Sequence, residues 1–285
     1  MNKLTTAKRT AVVAALVEGN SVRSTARMTN VSKPTILKLL ADLGDACAVY
    51  HDTHIRNIRA RRVQADEIWS YVGAKAKNAS DEQKAAGWGD CWTWTAIDAD
   101  SKLIVSYLVG QRGPYNCYEF MKDVCARLAN RVQLTTDGLT WYIDAVDHAF
   151  GTDVDFGMIQ KHYGGGPAAD ANAAVRYSPA KFTSATREVI TGSPNERHIS
   201  TSYVERQNLS MRMGMRRFTR LTNGFSKKLE NHVAANALYF LHYNFARIHQ
   251  TLRVTPAMAA GIADHVWNVE EIVDLLDTSS AVVAA

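Results

Sequence analysis

Three acidic side chains are spaced so that an α/β fold can gather them at one point: Asp66, Asp137 and Glu205. Asp66 lies within an extended stretch from Val63 to Gly73. Asp137 ends another, Arg131 to Thr136, directly before Gly138. Ligands collect at strand ends of an α/β sheet. Glu205 lies on a helical stretch that follows the last extended one. Carboxylates are the donors that hard divalent cations take, so the chemistry expected is phosphodiester cleavage with Mg²⁺, Mn²⁺ substituting. Held together without a cation, the three would repel one another. Taken singly each is weak, since an Asp before a Gly is more often a turn residue. Glu205, Asn208 and Arg212 stand at i, i+3 and i+7 and so share a helix face. A guanidinium cannot ligate Mg²⁺ but can fork onto a phosphate, which makes Arg212 an expected DNA contact beside the metal.

The charge pattern agrees with a phosphate-gripping enzyme. The net charge is +5, but it is divided sharply along the chain. Residues 1–64 hold 11 basic and 4 acidic side chains, and residues 206–253 hold 9 and 1. The stretch between them has 13 basic and 18 acidic, and residues 254–285 have 5 acidic and no basic. Basic flanks suit a DNA backbone, and an acidic middle suits a metal site.

The elements that must position these residues follow from periodicity. Thr6 to Val17 reads as a helix. Ser21 caps a second, to about Met28, and Ser32 caps a third, with Pro34 in its first turn, that stops near Gly44. Asn30 fits the turn between them, where positive φ is needed. This is a helix-turn-helix pattern, and Ser32, Lys33, Thr35 and Lys38 would face a major groove. A basic linker over residues 47–62 would place Arg56 and Arg59 on phosphate. Cys91 to Ile97 and Leu103 to Val109 read as a hairpin turned at Asp98 to Ser101. Pro114 to Asn130 and Thr140 to Phe150 read as helices, with Arg131 to Thr136 and Val154 to Tyr163 as strands. Residues 164–200 begin Gly-Gly-Gly-Pro and read as a loop or insertion, and helices follow from about Thr201. Trp69, Trp92, Trp94 and Trp141 suit core packing first and base stacking second.

The wording around the carboxylates resembles one family. Ala65-Asp66-Glu67-Ile68-Trp69-Ser70-Tyr71-Val72-Gly73, Thr135-Thr136-Asp137-Gly138 and Tyr203-Val204-Glu205-Arg206-Gln207-Asn208, followed by Arg212, look like the DDE transposases of the insertion-sequence-one family. Tyr243 to Leu252, followed by Thr255-Pro256, is similar to the C-terminal ends of many insertion-sequence transposases. The resemblance spans roughly residues 63 to 250. It implies a ribonuclease H-like fold, a metal triad at Asp66, Asp137 and Glu205, and Arg212 near the DNA. It also implies cleavage at element ends, transesterification into target DNA, and a homodimer or larger assembly. Members of the family commonly carry an N-terminal zinc-binding segment. Cys47, Cys91, Cys117 and Cys125 lack its spacing, so no zinc is expected.

The expected architecture is thus α/β. A helix-turn-helix domain occupies residues 1–46, a linker 47–62, a ribonuclease H-like mixed sheet flanked by helices 63–250, and a helical C-terminal extension 251–285. Arg206, Asn208, Arg212, Arg216, Arg217 and Arg220 complete the expected DNA-binding set. The partner is double-stranded DNA, at element terminal repeats and at the target. With no signal peptide and no membrane span, the expected setting is a prokaryotic cytoplasm, at the nucleoid. Rival readings are a non-catalytic DNA-binding relative of a transposase and a metal-dependent nuclease that cuts without joining.

Overall fold

The computed structural model describes residues 4–164, 181–219 and 222–283. Its first three helices are α1 (Thr6–Val17), α2 (Val22–Thr29) and α3 (Lys33–His54). Thr5, Ser21 and Ser32 cap them, each hydroxyl accepting from the backbone N–H three residues on. Asn30 takes a left-handed φ of 52° between α2 and α3.

The sheet follows. It comprises β1 (Arg62–Val72), β2 (Gly89–Asp98), β3 (Ile104–Gly110), β4 (Val132–Asp137), β5 (Val154–Gly164) and β6 (Lys181–Thr191). The order across the sheet is β3-β2-β1-β4-β5-β6. β4 lies parallel to β1 and to β5, and the other pairings are antiparallel. Short α4 (Asp81–Ala85) lies between β1 and β2; α5 (Pro114–Arg127) precedes β4, and α6 (Trp141–Phe150) follows it. The chain ends in α7 (Ser202–Gly214), α8 (Leu229–Leu241), α9 (Pro256–Ala259) and α10 (Val269–Val283). A mixed six-stranded sheet flanked by helices is the expected α/β arrangement and is consistent with a ribonuclease H-like fold.

Two expectations are corrected. The third helix does not stop near Gly44; it runs on to His54, through much of the expected linker. Gly44 serves a close crossing instead, because a Cβ there would come 2.4 Å from the Cβ of Ala234 in α8. Beyond it the buried His51 ring meets the Ile104 carbonyl of β3 at 3.2 Å. Residues 181–191, expected within a loop, form β6 at the sheet edge. The first part of that loop, residues 165–180, lies outside the described residues.

The N-terminal helices are built into the rest of the molecule. Val12, Val13, Ile36 and Leu40 share one buried core with Phe240 and Leu241 of α8 and with Val63 and Ile68 of β1. Ile272 and Val273 of α10 are fully buried in the same core. Arg9 reaches Asp277 at 3.6 Å. The expected boundary at residue 46 therefore falls inside a packed helix. Buried Asn244 accepts from the Ile104 N–H and donates to its carbonyl, tying the chain after α8 to β3. No helix among the described residues is long and apolar enough to cross a membrane.

Candidate active site

Parallel pairing of β1 with β4 sets the site. Gln64 stands opposite Thr135, and two residues on in each strand come Asp66 and Asp137. Asp137 is the last residue of β4, and its Oδ1 accepts the Leu139 N–H at 3.0 Å, which closes the turn into α6. Gln64 also docks α7. Its Oε1 accepts the backbone N–H groups of Tyr203 and Val204 at 2.8 and 3.2 Å, fixing the first turn of the helix just before Glu205. One turn further along α7, Asn208 donates to Asp66 Oδ2 at 2.8 Å.

Carboxylate oxygens of Asp66, Glu67 and Asp137 lie within 4.8 Å of one another. Glu67 was not foreseen from sequence as part of this cluster. Its neighbours give it a different task from theirs. Oε1 accepts Arg112 Nε at 2.8 Å and Oε2 accepts the Tyr142 hydroxyl at 3.1 Å, so both oxygens are engaged. Glu205 faces the cluster from α7 but is held at its rim. Its Oε1 accepts from Lys161 Nζ on β5, and from the Thr201 hydroxyl at 2.6 Å.

The electrostatics are those of crowded, poorly solvated acids. Burial pushes the Asp66 carboxyl up to about 8, and the charges of Glu67, Asp137 and Glu205 push the same way. Asp137 is raised chiefly by burial, with Arg112 acting against it. Glu67 is raised by burial and by Asp137, while Arg112 and Tyr142 pull it down. Two polar atoms at the cluster are buried with no hydrogen-bond partner among the described residues: Asn208 Oδ1 and the hydroxyl of Thr95, which pairs with Asp66 across β1 and β2. Clustered carboxylate oxygens, excess negative charge and unpartnered acceptors together fit a hard divalent cation.

The other residues singled out in the sequence are scattered. Ser32, Lys33 and Thr35 are exposed at the start of α3. Lys38 is paired with Asp42 at 2.8 Å, and Arg56 with Asp52. Arg59, Arg206 and Arg216 are exposed, and Arg212 is half-buried. Arg220 lies outside the described residues. Arg217 is half-buried and lines the same cleft as its neighbour Arg216. It is turned inward, donating to Ser226 Oγ at 2.6 Å, and burial lowers its pKa to about 10. Lys33 and Arg216 line one cleft of about 860 Å³, with Arg23, Lys227 and Lys228, between the α1–α2 turn, the start of α3 and the chain after α7.

The side chains that sequence reasoning missed are Glu67, Arg112, Tyr142 and Lys161. Alternation in a strand puts Glu67 on the opposite face from Asp66, and only the Arg112 and Tyr142 contacts give it a place beside the site. Lys161 and Arg112 are single basic residues with no spacing signal.

No family model matches the chain, and no curated protein matches it. Similar solved structures include the piggyBac transposase synaptic complex with hairpin DNA, with a TM-score of 0.40 and 12% identity over 96% of this chain and 70% of that one. The Mos1 strand transfer complex gives 0.25 and 11% over 84% of this chain and 77% of that one. The Mos1 transposase paired-end complex with the left transposon end gives 0.22 and 11% over 55% of this chain and 59% of that one.

Proposed function

We propose that the chain is a DNA transposase with a ribonuclease H-like catalytic core, of the insertion-sequence-one kind. The observation that carries this reading is the carboxylate cluster at the neighbouring β1 and β4, faced by Glu205 and Asn208 of α7. Asp66, Asp137 and Glu205 are the metal-binding and catalytic carboxylates, with Mg²⁺ as the metal and Mn²⁺ as its substitute. Bound metal supplies Lewis acidity at the scissile phosphate and lowers the pKa of the attacking water or hydroxyl.

The chain's own residues do the rest. Asn208 holds the Asp66 carboxylate in one orientation through its Oδ2. Lys161 and Thr201 steady Glu205 at the rim. Glu67 holds Arg112 through Oε1 and accepts the Tyr142 hydroxyl at Oε2. Arg212, one helical turn beyond Asn208, positions the DNA end. Ser32, Lys33 and Thr35, on the exposed first turn of α3, read the element end in the major groove. Arg59, Arg206 and Arg216 contact backbone phosphate. Two such ends are held in a homodimer or larger assembly. The product of the first step is a free 3′-hydroxyl, and its attack on target DNA needs no covalent bond between protein and DNA.

Incubation of the full chain with a labelled element end, target DNA and Mg²⁺ tests the reading. Nicked ends and joined products are expected together. Nicks without joined products would make it a nuclease, and binding without either would make it a non-catalytic DNA-binding protein.

A further inference from the structure

The cover over one face of the sheet stops short. Glu67 and Trp94 stand opposite each other in β1 and β2, and Trp94 is fully buried against Phe120 and Tyr142. The next pair on that face is Trp69 and Trp92, and after it Tyr71 with Asp90. Trp69, Trp92 and Tyr71 are only half-buried.

Trp69, Tyr71 and Phe225 form a row of touching rings, with Trp92 opposite Trp69 on β2. Trp69 and Tyr71 have centroids 5.7 Å apart, and Tyr71 lies 5.0 Å from half-buried Phe225. Cations sit over the two indoles. The Arg112 guanidinium is 4.9 Å from the Trp92 ring, and Lys75 Nζ is 5.5 Å from the Trp69 ring. Arg112 is fixed at Nε by Glu67, whose side chain is only 2% exposed, yet 37% of the Arg112 side chain is open to solvent. The Asp90 carboxylate is engaged by the Ala76 N–H at 3.0 Å. The row thus starts at Glu67, whose carboxylate lies within 4.8 Å of those of Asp66 and Asp137, and runs to the end of β1 on the face opposite Asp66.

A core does not need cations over its rings, and here Arg112, fixed by Glu67, and the exposed Lys75 both stand where a phosphate backbone can meet them. Unpaired nucleotides use both features. Every base offers a π-face to an aromatic ring or to a guanidinium plane, and each phosphate between bases needs a positive partner. Ring-bearing positions two apart on one strand are spaced about 6.6–6.8 Å, within the reach of a stretched single strand.

We propose that this row binds an unpaired DNA strand leading away from the cleaved bond, with bases stacked on Trp92, Trp69 and Tyr71 and phosphates held by Arg112 and Lys75. The inference rests on the transposase reading for the cleaved bond, but the binding it describes does not require cleavage. A frayed or single-stranded flank is then the preferred form of the substrate, and the aromatic row selects it.

The test is equilibrium binding of the full chain, without divalent metal, to a blunt duplex and to the same duplex carrying an oligothymidine overhang. The wild type should bind the overhang form more tightly. Trp69→Ala and Trp92→Ala should each lose about 5-fold or more of affinity for that form, with affinity for the blunt duplex unchanged. Lys75→Gln, on an exposed side chain, should keep the thermal unfolding midpoint. It should flatten the salt dependence of overhang binding by about 0.7 log unit. This variant keeps the test decisive if the tryptophan variants fail to fold. A wild type with no preference for the overhang overturns the proposal, as do variants that lose both DNA forms alike. A changed sedimentation coefficient in Lys75→Gln without changed overhang binding would make the row a contact between copies. A wild type that prefers the overhang but neither cuts nor joins any end would overturn the transposase reading and leave the stacking row standing.

Discussion

Asp66 carries a charge that the folded chain resists, and that resistance has a measurable sign. Its folded pKa is about 8, against about 4 for an exposed aspartate. Between those values the folded state holds a proton that the unfolded state has released. Stability of the metal-free protein should therefore fall as pH rises from about 4 to about 8. Thermal unfolding in chelator across that range checks this, and Asp66→Asn should flatten the fall. Added Mg²⁺ should raise the midpoint more at the alkaline end, where no proton competes for the carboxylate. A pH-independent midpoint in both proteins would contradict the crowded-carboxylate picture. Arg216 and Arg217 make a second contrast at this scale. Arg216→Ala should flatten the salt dependence of duplex binding by about 0.9 log unit. Arg217→Ala should leave that slope alone and cost about 1–3 kcal/mol of stability, since it strips Ser226 of a buried donor. Wild-type slopes in both variants would show that Arg216 also faces away from DNA, and flattened slopes in both would show that Arg217 reaches it. The sequence presents these neighbours as equivalent. Their difference arises because Ser226, tied by its carbonyl to the Gly73 N–H at the end of β1, draws one of them inward.

Helix α3 shows what a glycine can mean inside an element. In sequence Gly44 looks like a helix stop, but in the fold it lets α3 press against α8. Gly44→Ala would force a methyl into the backbone of Ala234, with its Cα 2.5 Å away. An overpacking loss of about 1–3 kcal/mol is expected in denaturant unfolding. A neutral or stabilising effect would mean that α3 and α8 are free to separate. Deletion of residues 1–62 belongs to the same argument. It would uncover Phe240, Leu241 and Ile272, which the first three helices help to bury, so the truncated chain should aggregate or melt well below the full one. A soluble truncated chain with a cooperative transition of full-length midpoint would restore the separable domain that the sequence suggests. The caps at Ser21 and Ser32 and the turn at Asn30 were legible because they depend on local chemistry alone. The hairpin turn at Asp98 was legible for the same reason, its carboxylate accepting the N–H groups of Asp100 and Ser101. Strand β6 was not legible. It is an edge strand with Phe182 and Val189 exposed, so no alternation of apolar and polar residues marks it. The cluster was half legible. Asp137 announces itself at the end of β4 and Asp66 by the wording around it within β1, whereas the pairing of Glu67 with Arg112 joins residues far apart in sequence.

Across the whole molecule, charge and architecture fall into register. Helix α7 runs from the carboxylate cluster to the turn before α2, where a Cβ on Gly19 would come 2.9 Å from the Gly214 carbonyl. The exposed start of α3 and the basic chain after α7 consequently line one cleft with Lys33 and Arg216. Asn208 to Gly214 spans about 9 Å of helix, so a duplex lying in that cleft would have its end close to Asp66. The central claim is that the carboxylates at this junction carry the cutting of that end. Single-turnover cleavage of a labelled, pre-bound DNA end in Mg²⁺ tests it most directly, with Asp137→Asn compared against the wild type. The substitution keeps the oxygen that accepts the Leu139 N–H and removes the charge. Asp137→Asn should bind the end with nearly wild-type affinity and leave it uncut. Cleavage by Asp137→Asn at the wild-type rate would contradict that claim.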